Sequence, residues 1–365
     1  MATVEAYDTK KGKRYRVRYR TPENRQTDKR GFRTKRDAER FSNTVEVAKL
    51  RGEYVNPADA RTTVDGLGEA WLERQKGHLK PSGYNVMETT WRVRVKPRWG
   101  NVAIGDIKPT AVQAWMGELL QGAEDVKAIQ PATVKRAHHV LARILADAVQ
   151  DNLIPKNPVA GLALPKTSPK KHVYLTHSQV GALADAAGGE CRTLVLTLAY
   201  TGLRWGEAVA LKVSDLDLLR KRAAIHENAV QSGVDIHVGT PKAHKQRSVP
   251  LPDFLVPLLA RQCQDKGRSD LLFGDGEHVR RPHPVSGWFA KAVSGSGVPR
   301  VTPHDLRHTA ASLAVSAGAN VKAVQRMLGH AKASMTLDTY ADLFDDDLEA
   351  VAGALDKARK LTLAK

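Results

Sequence analysis

Residues 14–20, RYRVRYR, alternate charged and apolar side chains without a break. A period of two sets Arg14, Arg16, Arg18 and Arg20 on one face of an extended segment and Tyr15, Val17 and Tyr19 on the other. Such a strand needs flanking strands for its backbone and an apolar cover for one face. The stretches VEAYD before it and QTDKRGF after it are read as its partners in a three-stranded sheet. A helix over 35–51 carries Ala38, Phe41, Val45 and Ala48 on one side and supplies the cover.

From residue 62 to about 165 the apolar spacing is helical. One helix runs from Thr63 to Gln75, Pro81 precedes a second (SGYNVMETTWRVRVK), and Pro109 with Thr110 opens a third. In PATVKRAHHVLARILADAVQDN, Thr133 is the expected cap and Val140, Ile144, Leu145 and Val149 form the apolar stripe. The bases Arg92, Arg94, Lys135 and Arg136 stud these helices and suit a clamp around DNA. LPKTSPKKH has no periodicity and reads as a linker. Thr176 and Gln179 then form a capping-box pattern that opens a further, mostly helical region with a strand-rich insert over 223–251. The chain is therefore expected to be multidomain and mainly α with small β-sheets. Its parts are an N-terminal three-stranded sheet plus helix, a helical domain, and a mixed α+β domain.

Charge narrows the partners. The chain has 57 Lys and Arg against 39 acids, net +18, and residues 10–40 alone hold net +10. An excess of this size points to a polyanion, double-stranded DNA first. The two cysteines, Cys191 and Cys263, make neither a disulfide framework nor a metal-ligand spacing, which fits a reducing cytoplasm. No apolar run reaches the ~20 residues of a membrane span, so no membrane partner is expected.

The chemistry-bearing residues lie in the last region. VTPHDLRHTA crowds His304, Arg307 and His308 onto one face at a helix start, with Leu306, Ala310 and Leu313 behind. Positive side chains oppose the helix dipole there unless an anion is shared. TGLRWGEAVAL places Arg204 just past a helix-ending glycine, with Glu207 one turn on to orient it. GTPKAHKQRSVPL puts Lys242 near a hairpin tip, crowded by His244, Lys245 and Arg247. LGHAKASMTLDTY supplies His330 and, ten residues on, Tyr340. Two guanidinium forks, a lysine, two histidines and a phenol, with no Asp/Glu/His metal triad, suit nucleophilic attack on a phosphodiester.

At these residues the chain resembles the tyrosine recombinase family, most closely the integrases of temperate phages. TGLRWGEAVAL is similar to the first arginine box, HDLRHT to the H-x-x-R box, and LGH with TLDTY to the closing histidine and nucleophile. The resemblance implies an arm-type DNA-binding domain (1–60), a helical core-binding domain (62–165), a linker (166–172), and a tyrosine-recombinase catalytic domain (173–346). A C-terminal tail helix (347–365), with Leu348, Val351, Leu355 and Leu361 as its stripe, would dock on a neighbouring subunit or on its own domain.

By the same resemblance Arg204 and Arg307 bind the scissile phosphate, and His304 and His330 assist the transition state and proton transfer. Lys242 is the general acid, preferred over its neighbours by its distance from the VPL strand end, and Tyr340 is the nucleophile. His308 is left as a supporting residue. Neither cofactor nor metal nor ATP is implied. The implied activity is site-specific recombination, integrating and, with a partner, excising phage DNA, by a homotetramer on core and arm-type sites in a bacterial cytoplasm. A host DNA-bending factor and a directionality factor are further partners. A transposon or integrative-element recombinase, a chromosome-dimer resolvase, a type IB topoisomerase and a non-catalytic DNA-binding regulator are the competing readings.

Several residues have plainer expectations. Tyr200 and Trp288 are read as packing. Arg222, His226 and His237 are read as surface or DNA-backbone contacts, and His138 and His139 as surface.

Overall fold

The computed structural model describes all residues except 1, 11, 23, 52–53, 57, 123–126, 168–171, 241–245, 333, 341–352, 354, 356–358, 361–362 and 364–365. The chain forms two compact units, Met1–Pro169 and Lys170–Lys365.

In the first unit β1 (Thr3–Thr9), β2 (Gly12–Arg20) and β3 (Gln26–Phe32) form an antiparallel sheet in chain order. The period-two reading of β2 holds: Val17 and Tyr19 are buried beneath α1 (Lys35–Leu50), whose Ala38 and Val45 close that small core. On the other face Arg16 and Arg18 reach Glu5, at 2.7 and 3.2 Å. These half-exposed pairs are worth little energetically and are easily exchanged for another anion. Arg20 bonds Asn24 and has no acidic partner among the described residues.

The helical part holds α2 (Val64–Lys76), α3 (Pro81–Thr90), α4 (Lys96–Trp99), α5 (Pro109–Gln121) and α6 (Pro131–Gln150). The single helix expected after Pro81 widens into a π-turn at Trp91–Val95 before α4. The extra residue turns Trp91 and Val95 into a core with Trp71, Trp99 and Trp115. Two expectations are corrected here. Thr133 does not cap α6; Gln130 holds that position with Pro131 next, so Thr133 lies inside the first turn. His138 is not surface either: it is buried, with Nε2 3.0 Å from the Val159 carbonyl, while His139 is exposed. Arg92 pairs with Glu88, Lys135 reaches Thr167, Arg94 is half-buried and Arg136 is exposed.

The second unit runs through α7 (His177–Ala187), α8 (Gly189–Thr201), α9 (Trp205–Ala208), β4 (Leu216–Asp217), β5 (Arg222–Ile225), β6 (Asn228–Ser232), β7 (Asp235–Gly239) and β8 (Arg247–Pro250). It continues with α10 (Leu255–Gln262), α11 (Trp288–Ser296), α12 (Asp305–Ser316), α13 (Val321–Leu328) and α14 (Ser334–Tyr340). The Thr176–Gln179 capping box opens α7 as the sequence indicated. β4, β5 and β8 form one small antiparallel sheet, and β6 and β7 form a separate hairpin.

α8 is buried from Thr193 to Ala199 and contributes Leu194, Val195 and Leu198 to the larger core, which also holds Phe273, Phe289 and Leu306. A satellite core joins Ala311, Val315, Val324, Leu328 and Tyr340. Of the tail stripe, Leu348, Val351 and Leu361 lie outside the described residues, and Leu355 is exposed. No described helix is long and apolar enough to cross a membrane.

Candidate active site

The site is organised by two helix ends. α8 stops at Gly202, whose φ of 65° is left-handed, and a Cβ there would lie 2.6 Å from the Leu328 side chain. α13 stops at Gly329, φ 68°, where a Cβ would lie 2.9 Å from the Arg247 side chain. Both ends expose carbonyls carrying the negative pole of a helix. Arg307, from the first turn of α12, bridges them: Nη1 donates to the Gly202 carbonyl at 2.6 Å and Nη2 to the Leu328 carbonyl at 2.7 Å. Part of the negative partner that the HDLRH cluster requires is thus built from backbone. Arg307 is only 3 % exposed, and burial, then the charge of Arg204, brings its pKa down to about 10. It remains a cation at neutral pH.

Arg204 leads into α9. Its Nη1 donates to Glu207 Oε1 at 2.8 Å and its backbone N–H to Oε2 at 2.9 Å. Sequence spacing anticipated this pair. It did not anticipate Arg247, which grips the same carboxylate at 3.0 and 2.6 Å and donates to the Met327 carbonyl at 3.3 Å. Arg247 lies forty residues from Glu207 in sequence, and its only signal was the crowding of bases in KAHKQRS. Lys242, with His244 and Lys245, lies outside the described residues.

Glu207 is 1 % exposed. Burial alone would raise its pKa, but Arg247's hydrogen bonds and charge, with Arg204's help, bring it from 4.5 to about 2. A depressed carboxylate stabilises the fold above its unfolded pKa and loses that contribution as pH falls through the folded value. The shift corresponds to about 3 kcal/mol. It is fully present above about pH 4.5 and is lost towards pH 2. Glu207→Gln is therefore expected to lower stability by about 3–5 kcal/mol. The variant should also flatten the acid limb of a urea-midpoint curve between those pH values. A variant curve parallel to wild type would place the acid sensitivity elsewhere.

The histidines complete the ring. His304 stands at the N-cap of α12, its ring centroid 5.2 Å from that of His308. Burial, then Arg307, lowers its pKa. His330 directly follows Gly329 and has Nδ1 2.9 Å from Thr336 Oγ1; burial, then Arg307 and Arg204, takes it down to about 4. Tyr340 ends α14 and is 1 % exposed. Its hydroxyl is 2.8 Å from His308 Nδ1. Burial lifts the phenol to about 12 against the pull of Arg307.

Five of the six residues singled out in the sequence thus converge. His308 moves from the margin to direct contact with Tyr340, and His172, which the sequence gave no reason to notice, stacks on it at 4.0 Å between centroids.

His172, Asp305 and His308 each offer an atom able to ligate a metal, all within 4.8 Å of one another, a grouping hidden in sequence by the 132 residues between His172 and Asp305. Two are already engaged. The Asp305 carboxylate accepts from Thr302 N–H and O–H at 2.8 and 2.7 Å, and His308 meets Tyr340. Asp305 is thus bound to Thr302 and His308 to Tyr340, while His172 Nδ1 has no hydrogen-bond partner among the described residues.

Around Tyr340, then, lie His304, His308 and His330, the buried Arg307 and the half-buried Arg204, and the acids present, Glu207 and Asp305, are bound by neighbours. Such a pocket accepts an anion and presents a phenol to it. The phage integrase family model matches residues 173–346, and the model of the phage integrase N-terminal SAM-like domain matches 65–120.

The chain belongs to the tyrosine recombinase family. A prophage phiRv2 integrase of Mycobacterium tuberculosis is 29 % identical to this tyrosine recombinase over 243 residues, which are 64 % of the chain but only 62 % of that relative. The integrase of Mycobacterium phage L5 is 27 % identical over 280 residues, 73 % of this chain and 72 % of that one. Among solved structures, the Tn1549 transposon integrase bound to transposon right-end DNA superposes with a TM-score of 0.65 at 24 % identity, covering 80 % of this chain and all of that one. A lambda integrase dimer bound to a COC′ core site gives 0.61 at 18 %, covering 92 % and 94 %. These two likenesses are of fold, and they bear out the mixed α+β, mainly helical architecture.

Proposed function

We propose that this tyrosine recombinase is a phage-type integrase, cleaving and rejoining DNA at specific sites through a 3′-phosphotyrosyl intermediate. It would integrate phage DNA and, with a partner, excise it. The observation that carries this is the Tyr340 hydroxyl held among Arg204, Arg307, His304, His308 and His330. In this reading Arg204 and Arg307 neutralise the scissile phosphate, whose charge rises as phosphorus becomes five-coordinate. His304 and His330 are neutral at physiological pH and donate hydrogen bonds to the same oxygens. Lys242 protonates the departing 5′ oxygen. The phosphotyrosyl ester retains the energy of the broken bond, so rejoining by the new 5′ hydroxyl needs no ATP.

Residues 1–60 bind arm-type sites through the β2 face of Arg14, Arg16, Arg18 and Arg20. Residues 62–165, with Arg92, Arg94, Lys135 and Arg136, grip the core site together with the catalytic domain, 173–346, joined through 166–172. Four protomers act on two duplexes, and residues 347–365 dock on a neighbouring subunit. Each lysine or arginine on a phosphate releases a counterion, so binding weakens steeply with salt.

A transposon or integrative-element recombinase of the same chemistry is the second reading. It is favoured by the 28 % identity over 292 residues to the transposase of Tn916 from Enterococcus faecalis. Sequencing the element–host junctions separates the two and yields the core site. The test of the chemistry is a nicked duplex carrying that site, incubated with the protein and run in SDS. We expect a DNA adduct whose modified peptide, by mass spectrometry, contains Tyr340. No adduct on a duplex that the protein binds would favour a regulator that kept the fold, and a modified peptide elsewhere would reassign the nucleophile.

A further inference from the structure

We propose that His308 is a catalytic residue, the general base that takes the Tyr340 proton during attack, with Asp305 and His172 as its positioning residues. This deepens the reading of Tyr340 as nucleophile and rests on it. The geometry supplies the contact. His308 Nδ1 lies 2.8 Å from Tyr340 Oη, and no other described side chain is recorded on that hydroxyl. His330 spends its Nδ1 on Thr336, and His304 meets His308 edge to face.

The surroundings fix the ring. His172 lies against one face of His308, with centroids 4.0 Å apart and planes 32° apart, and its Nδ1 is buried without a hydrogen-bond partner among the described residues. Asp305, one turn back on α12, is itself held by two bonds from Thr302 and keeps ligand-type atoms within 4.8 Å of both rings. The phenol thus bonds the imidazole, and a carboxylate lies within 4.8 Å of it, near enough to steady by its charge the imidazolium that forms, as the acid of a serine–histidine–aspartate triad does.

The titratable and charged groups facing His308 are His172 and Tyr174 from the segment before α7, His304, Asp305 and Arg307 from α12, and Tyr340 from α14. Burial, then His172 and His304, hold His308 down to about 4 in the free chain, so it is neutral and able to accept a proton. Tyr340, lifted to about 12, does not ionise unaided. A bound phosphate brings negative charge to the pocket, which raises the basicity of His308 as attack begins.

The step balances. The Tyr340 oxygen bonds to phosphorus while its proton moves to His308 Nδ1. The P–O5′ bond breaks, and the departing oxygen takes the Lys242 proton. Rejoining reverses both transfers.

The test uses the full chain and two nicked duplexes carrying the core site, one natural and one with sulfur at the bridging 5′ position. A thiolate leaves without protonation, so loss of a general acid is rescued by sulfur and loss of a general base is not. For His308→Ala and His308→Gln we expect adduct formation to slow by roughly 10²–10⁴-fold on both substrates. DNA affinity should stay within about twofold, since phosphate contacts by Lys and Arg dominate binding. Wild type should show a rate nearly flat over about pH 6–9, and the variants a rise of about tenfold per pH unit as hydroxide replaces the base. Lys242→Ala serves as the contrast, recovering on sulfur.

Variant rates within about threefold of wild type, or recovery on the sulfur substrate, would overturn the assignment. A faster variant would overturn it too, showing that the bond restrains Tyr340. His308→Gln retains a hydrogen-bonding side chain, and its thermal melt separates lost chemistry from lost folding. Failure of the underlying reading looks different: wild type itself would give no adduct, or Tyr340→Phe would keep it.

Discussion

Tyr340→Phe is expected to abolish the SDS-resistant DNA adduct while leaving DNA affinity within about twofold of wild type. The side chain is 1 % exposed and uncharged, and it packs with Ala311, Val315, Val324 and Leu328, so the ring can stay when the oxygen goes. The hydroxyl's one described partner is His308 Nδ1 at 2.8 Å. Removing it deletes a hydrogen bond worth about 1 kcal/mol and leaves a half-buried imidazole nitrogen without that partner. Stability should therefore fall by about 1–3 kcal/mol, a few degrees of melting temperature for a unit of this size. Covalent chemistry should vanish, because a benzene ring has no nucleophile. Gel assays for adduct and for binding, with a thermal melt, read all three quantities. An adduct that survives, or affinity that collapses with the oxygen, contradicts the role given to Tyr340.

Arg307→Lys is the second large effect, and it strikes the fold and the chemistry together. The guanidinium spans the carbonyls of Gly202 and Leu328, 2.6 and 2.7 Å from its two terminal nitrogens, and these mark the ends of α8 and α13. An ammonium is a single point and cannot hold both ends and a phosphate. At least one buried carbonyl loses its donor, costing about 1–3 kcal/mol. The lost fork should slow adduct formation by about 10²–10³-fold. The two losses separate by temperature: well below the melting point the protein is folded, so the rate deficit there belongs to the transition state alone. A lysine variant with wild-type melting would mean that the two helix ends do not depend on this bridge.

Much was legible in the chain itself, and for local reasons. The alternation in RYRVRYR specifies a half-buried strand because side-chain direction follows directly from backbone period, and Val17 and Tyr19 are buried accordingly. The Thr176–Gln179 capping box and the Arg204–Glu207 pair span three residues each, a reach that helical geometry fixes. The HDLRH, LGH and TLDTY spacings carried the family resemblance, and with it five residues that the fold gathers. His138 and Thr133 were misread because burial and cap position depend on what packs against a helix, which its own pattern does not contain.

What tertiary structure alone decided concerns residues far apart in the chain. Arg247 reaches the Glu207 carboxylate, which Arg204 also binds, across forty positions, and His172 reaches His308 across 136. Neither pairing has a sequence period, because each arises where separate elements happen to end together. The same holds for the puzzle of positive charge at the start of α12. Sequence determined that His304, Arg307 and His308 share that turn and need an anion. Only the fold brought the carbonyl ends of α8 and α13 onto Arg307 and the phenol of Tyr340 onto His308. Oriented dipoles of this kind come from helix placement, and no side-chain pattern encodes them.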